Sequence, residues 1–248
     1  MDFSFKTKDF KDQLEQAVAD GIEASPLSQD VESSPESLLA AMGQAIDVMQ
    51  RAEADISSES SENPVEEKDI SQIGDYVLTL IEGLLGHVQA ASDMQAATQA
   101  KALVRLTLSV AMWVARCGGK LDKLDLVVNA LADYANELRQ PEQLAELTQA
   151  IVVILPAVSD AVRQDLEQTN AMRPWRILHL NYCIIATRSH DPELIETAYD
   201  VLVKNLPKDA RSFFKEGLQQ MDAIGYPESV REVLERYDQK WGAESTLH

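Results

Sequence analysis

Basic residues are what this chain of 248 residues has too few of: 22 Lys and Arg stand against 41 Asp and Glu, a formal net charge of −19. A protein that grips a nucleic-acid backbone neutralises phosphates with Lys and Arg, so direct nucleic-acid binding is not expected. Glycine (10 residues) and aromatic side chains (6%) are scarce, whereas Ala (29) and Leu (28) are abundant. That balance argues against a sandwich or barrel and for helices. There are two cysteines, Cys117 and Cys183, and no CxxC pair, so redox chemistry has no motif to stand on. A disulfide is open by count; the apolar helical setting of each reads as a buried free thiol in a reducing compartment. Long apolar runs are also missing. The longest, Ile151–Val158, has eight residues, far short of the ~20 of a membrane span. Leu103–Ala115 is interrupted by Arg105, Thr107 and Ser109. No signal-peptide core follows Met1. The chain reads as soluble, not exported and cytoplasmic, with no membrane partner.

What is present is unevenly placed. Residues 1–74 hold 17 acids and 5 bases, and residues 75–248 hold 24 acids and 17 bases. The acidic third carries two Ser/Glu/Pro-rich stretches, Glu23–Pro35 and Ser57–Pro64. Such segments bury too little apolar surface to offset their ordering entropy, so they are expected to be mobile linkers. Residues 1–68 are expected to form a partly disordered acidic region with two short helices. A solvated arm that keeps the protein soluble is one reading of it. An arm that docks on a basic partner or mimics nucleic acid is the other.

A hydrophobic content of 45% supplies a core, and between the linkers the apolar positions recur at helical spacing. Phe10, Leu14, Val18 and Ile22 give a short helix. Ser34 caps a second, with Pro35 first and Leu38, Leu39, Met42, Ile46 and Met49 as its stripe. A third begins near Asp69, and its Gly74, Gly83 and Gly86 suit close packing against a neighbour. Ser92 caps a long fourth that stops at Gly118-Gly119, where a left-handed cap is expected. Leu121–Leu138 is a fifth. Residues 69–139 thus read as a long-helix bundle. From there prolines at 141, 174, 192, 207 and 227 each open a helical run, as suits a residue with fixed φ and no amide hydrogen. Asp191-Pro192-Glu193 is a capped helix start. Ile151–Ile154 is strand-like only in isolation, since its flanks are helical. The expected fold is all-α: a helical bundle leading into α-α hairpins over 141–248, about eleven helices in all.

Pro141, Pro174 and Pro207 are spaced by 33 residues, and two helices per unit at such a period mark a stacked hairpin array. Trp175, Leu178 and Tyr182 stand at W-x2-L-x3-Y, followed by Ile195, Tyr199, Leu202 and Pro207 at A-x3-F-x2-A-x4-P. Residues 174–241 therefore resemble the tetratricopeptide repeat. His179 stands where that pattern has a small residue, Ile195 replaces an Ala, and the link between the two helices is four residues longer. In the next unit Phe213 and Gly217 take the Trp and Gly places, with Glu216 and Gln220 at the Leu and Tyr places; that register steps by 38 residues, not 33. A helical-hairpin array of another kind fits the same punctuation. The resemblance implies a superhelix whose inner face holds a partner segment.

Motifs for chemistry are missing. Four histidines (His87, His179, His190, His248) form no HExxH, and no Cys/His cluster has zinc spacing. No GxGxxG, GxxxxGK[ST] or GxSxG occurs. No catalytic residue, metal or cofactor is expected. One cluster, Met172–His179, is locally basic in an acidic chain. Arg173, Trp175, Arg176, His179 and Tyr182 are candidate partner-binding residues, because aromatic and Arg side chains dominate interface energetics. In an alternative, Trp175, Leu178 and Tyr182 pack one helix face while the arginines pair with surplus acids. In a third, the acidic arm folds back over the patch.

Three functions follow. The first is a non-enzymatic scaffold holding an unknown protein partner or a second copy of itself. The second is an enzyme or small-ligand binder with a pocket near His179, Tyr182 and Arg176. The third is an acidic regulator or nucleic-acid mimic.

Overall fold

A computed structural model describes residues 10–12, 14–15, 34–57, 65–91 and 94–242. Most of both expected linkers, and Val18, Ile22 and Ser92, lie outside these residues. The helices, in chain order, are α1 (Pro35–Ser57), α2 (Glu67–Ala91), α3 (Met94–Arg116), α4 (Leu124–Glu137), α5 (Pro141–Ile154), α6 (Asp160–Arg163), α7 (Pro174–Arg188), α8 (Pro192–Asn205), α9 (Pro207–Ile224) and α10 (Glu228–Gly242). A 3-10 turn, Leu155–Ala157, follows α5. The all-α expectation holds: among the described residues there is no strand, only an isolated bridge between Leu121 and Val158. The Ile151–Val153 run is helical, as its flanks require.

The chain folds as two compact units that divide inside α4 and α5. In the first, which ends at Tyr134 and regains Val152–Gln164, α1 packs on α2 and α2 on α3. The described part of the acidic third is therefore not set apart. Met42, Ile46 and Met49 of α1 are buried, as are Phe10 and Leu14. Lys11 Nζ reaches Asp47 Oδ1 at 2.6 Å. Ser34 Oγ accepts from Ser37 N–H at 3.3 Å, closing the cap that the Ser-Pro pair announced. Gly74 and Gly83 mark close approaches, since a Cβ at Gly74 would clash with Val114 Cγ2 and one at Gly83 would sit 3.0 Å from Leu38 Cδ1. Gly86 differs from expectation, with open space around it. Gly118 ends α3 at φ +81°, a conformation that costs a Cβ-free residue little. The following turn is tied down by Lys120 N–H to Ser71 Oγ (2.8 Å) and by Leu121 N–H to the Ala157 carbonyl (2.8 Å).

In the second unit, Ala135–Ile151 and the chain from Asp165 onward, α7 packs on α8 and α9 on α10, while α8 touches both α9 and α10. Each of Pro141, Pro174, Pro192 and Pro207 is the first residue of its helix, and Pro227 directly precedes α10. Asp191 Oδ1 accepts from Glu193 N–H (3.0 Å) and Leu194 N–H (3.3 Å), the anticipated cap. Tyr199 of α8 centres the core. Its ring meets Phe213, Phe214 and Tyr237 edge-on at 5.8, 5.1 and 5.2 Å, a geometry aromatic quadrupoles favour. Its hydroxyl bonds Thr187 Oγ1 at 2.8 Å. The Tyr237 hydroxyl lies 2.6 Å from Asp200 Oδ1.

Candidate functional site

The five residues singled out in the sequence converge, but inward. Arg173 directly precedes α7. Its Nε donates to Asp165 Oδ1 at 2.6 Å and its Nη2 to Asp209 Oδ2 at 2.9 Å. Nη1 donates to the carbonyls of Gln168 and Asn170 at 3.4 and 3.2 Å. Arg176, one turn on, shares Asp209 through Oδ1 at 2.6 Å and donates to the Ala171 carbonyl at 2.9 Å. Both arginines therefore hold acids from within their own unit. The fork of the guanidinium suits this many-sided clasp; a Lys ammonium would not span it. The clasp ties the 165–173 loop to the starts of α7 and α9.

Trp175, His179 and Tyr182 form the buried side of α7. His179 is fully enclosed. Its Nδ1–H donates to the Trp175 carbonyl at 2.8 Å, which leaves Nε2 as acceptor for Asn205 Nδ2–H at 2.8 Å. Burial drives its pKa from 6.5 down to about 4, partly opposed by the Trp175 carbonyl and the Asp165 charge, so it is neutral at pH 7. Burial likewise pushes the Tyr182 hydroxyl up to about 12. With Arg173, Trp175, His179 and Tyr182 all buried, this cluster offers a partner little side-chain surface. The inward pairing that competed with the hot-spot reading is what the geometry contains. The physical reason is periodicity: 175, 178/179 and 182 lie on one helical face, and that face meets α8.

The accessible feature lies on the other side of α7. This helix is apolar nearly all round, whereas a half-exposed helix ordinarily carries polar residues outside. Ile177, Leu180 and Ile184 recur at i, i+3, i+7 away from the buried face. Ile177 and Leu180 are half-buried, and Ile184 is 46% exposed. Leu180, Ile184 and Thr187 form one wall of a cleft of about 180 Å³, and Phe213, Gly217 and Met221 of α9 form the facing wall. Tyr199 and Leu234 line it further, with Glu216, Gln220 and Tyr226. The volume is below the roughly 300–1,000 Å³ of small-molecule sites. It matches one bulky side chain, since an apolar cavity of about 150 Å³ takes a benzene ring.

The C-terminal end of α7 places a positive charge near Tyr226, one of the residues lining this cleft. Arg188 follows the lining residue Thr187. It donates to the Leu138 carbonyl at 3.2 Å, and no described carboxylate pairs with it. Its charge acts on Tyr226, whose hydroxyl pKa burial raises and Arg188 draws back down. The His190 ring stands edge-on to Tyr226 at 5.6 Å. Among the described residues no group of three or more His, Cys, Asp and Glu side chains is placed to hold a metal, and no helix is long and apolar enough to cross a membrane. The two cysteines are not bonded to each other. Burial raises the Cys117 thiol to about 11 and lifts Cys183 as well, which keeps both in the protonated thiol form at neutral pH. No family model, curated protein or solved structure matches the chain.

Proposed function

We propose that this protein is a non-enzymatic interaction module whose α7/α9 cleft holds a protein segment presenting one bulky apolar side chain with a carboxylate beside it. The observation that carries this reading is the partly exposed stripe Ile177–Leu180–Ile184, whose last two residues line a side-chain-sized hole. Covering that stripe removes apolar surface from water, which stabilises a complex by about 25 cal/mol per Å² before ordering costs. The carboxylate preference follows from Arg188, whose charge reaches the lining residue Tyr226, with His190 packed on the same ring. Glu216 and Gln220 on the other wall can accept backbone N–H groups of the occupant.

The tetratricopeptide likeness supports the same reading. Gly217 stands at the pattern's small-residue place, and a Cβ there would sit 3.2 Å from Leu234 Cδ2 of α10; the small residue thus lets the paired helices approach. In the unit before it, His179 fills the corresponding place and is accommodated by bonding Asn205 at the end of α8. The stripe and cleft lie on the first helices of the two hairpins, α7 and α9, where such arrays hold their ligands. The proposed setting is a soluble, cytoplasmic one.

Selection of a displayed random-peptide library tests the function, with Ile184→Glu as the counter-selection. Ile184 is 46% exposed, so the variant keeps its fold. Peptides with Leu, Met or Phe next to Asp or Glu should enrich on the wild type and not on the variant. Equal enrichment on both, or none on either, would remove the cleft as the binding surface.

A further inference from the structure

We infer that the cleft's occupant is the 165–173 loop of a second copy of this chain, entering with Leu166. The inference rests on the cleft reading above and names its partner. Two large apolar side chains stand out on this loop: Leu166 is 82% exposed and Met172 is 70% exposed. Single exposed apolar residues need no explanation, but these two sit on a loop pinned by several hydrogen bonds. Arg173 binds the loop at three points, Asp165 Oδ1 (2.6 Å) and the carbonyls of Gln168 (3.4 Å) and Asn170 (3.2 Å). Met172 N–H donates to Asn170 Oδ1 at 2.9 Å. Asp165 holds φ +48°, a conformation that persists only where the surroundings enforce it. A loop ordered in advance loses little entropy on docking.

The chemistry of the loop matches that of the cleft. Leu166 is the bulky apolar side chain the hole can take. Glu167 is the adjacent carboxylate, held among the described residues by Asn170 Nδ2 at 3.5 Å, and it would meet Arg188 and His190. Met172, unbranched and adaptable, would cover the exposed Ile184. Knob and hole are different surfaces of one unit, so the contact is heterologous and repeats head to tail. One loop in one cleft buries less than the roughly 1,200 Å² of a stable complex, and the charge of −19 opposes it. The association is therefore weak and grows with concentration.

Sedimentation velocity of the full chain from about 1 to 200 µM, at the ~0.15 M ionic strength where screening is strong, tests this. The wild type should gain mass with concentration. Leu166→Glu/Met172→Glu, which keeps the cleft, and Ile184→Glu, which keeps the loop, should each associate at least about tenfold more weakly. Mixed one to one, the two variants should form a pair at twice the 27.5 kDa chain mass and grow no further, because each supplies what the other lacks. All three sites are exposed, and unchanged circular dichroism confirms folding. A wild type that stays monomeric throughout, variants that associate as it does, or a mixture that stays monomeric would each overturn the inference. If peptides still select against Ile184→Glu while the wild type stays monomeric, self-docking alone fails; if neither occurs, the cleft reading fails with it.

Discussion

His179 makes the stability of the second unit depend on pH in a way its geometry dictates. In the unfolded chain the imidazole binds a proton below its ordinary pKa of 6.5; in the folded chain burial delays this to about 4. Above pH 6.5 neither state is protonated, and His179 contributes no slope. Between 6.5 and 4 only the unfolded state gains a proton, so stability falls as pH falls, by about 1.4 kcal/mol per unit. Over the full window the loss is at most about 3 kcal/mol, and about 2 of it comes by pH 5. The cause is specific: a proton on Nε2 would set two donors, Nε2–H and Asn205 Nδ2–H, against each other at 2.8 Å in a fully buried site. Other groups titrate in this range too, so the quantity to measure is a difference. Urea unfolding of the wild type and of His179→Leu is followed from pH 7.5 to 5. The stability gap between them should shrink by about 2 kcal/mol toward pH 5, while the His179 imidazole proton resonances of the folded wild type stay those of a neutral ring. Parallel losses in the two proteins, or a ring that titrates near 6.5, would refute the reasoning.

Arg173→Met should destabilise the second unit by about 3 kcal/mol, because it strands the largely buried Asp165 carboxylate and leaves Asp209 to Arg176 alone; Arg173→Lys should recover little of that. Both are read as shifts in the urea midpoint. Gly74 and Gly86 of α2 should respond oppositely to Ala. Gly86→Ala should stabilise by up to about 1 kcal/mol, since Ala is the better helix former and nothing lies within 4 Å. Gly74→Ala should destabilise by about 1–3 kcal/mol, because its Cβ meets the stiff β-branched Val114. Thermal melts of the pair decide it, and equal effects would show that the α2–α3 contact is not as close as described.

The helices were legible wherever the signal is local. Ser34-Pro35, Asp191-Pro192 and the left-handed Gly118 announce ends through backbone chemistry that needs no distant partner. The prolines at 141, 174, 192 and 207 mark four helix starts for the same reason. The site was not legible in that way. Arg173 and Trp175 are residue types that dominate interfaces, yet of the two acids that satisfy Arg173, Asp209 is 36 residues away and each is one among 41 acids. The pattern Trp175–Leu178–Tyr182 marks the side of α7 that α8 covers. The open side, Ile177–Leu180–Ile184, had a signal of its own: a helix with two apolar faces has more apolar surface than one neighbour can bury. The cleft beside it depends on where α9 places Phe213 and Met221, which no local pattern specifies. The division of the units inside α4 and α5 was hidden because both helices are continuous across it.

The central claim is that the α7/α9 cleft receives an apolar anchor. Methyl NMR of the full chain, titrated with a short peptide carrying Leu beside Glu, tests it most directly. The account predicts progressive shifts of the Leu180, Ile184, Met221 and Leu234 methyls, and none of those shifts in the Ile184→Glu protein. Perturbations confined to other surfaces, or unchanged spectra at saturating peptide, would contradict it.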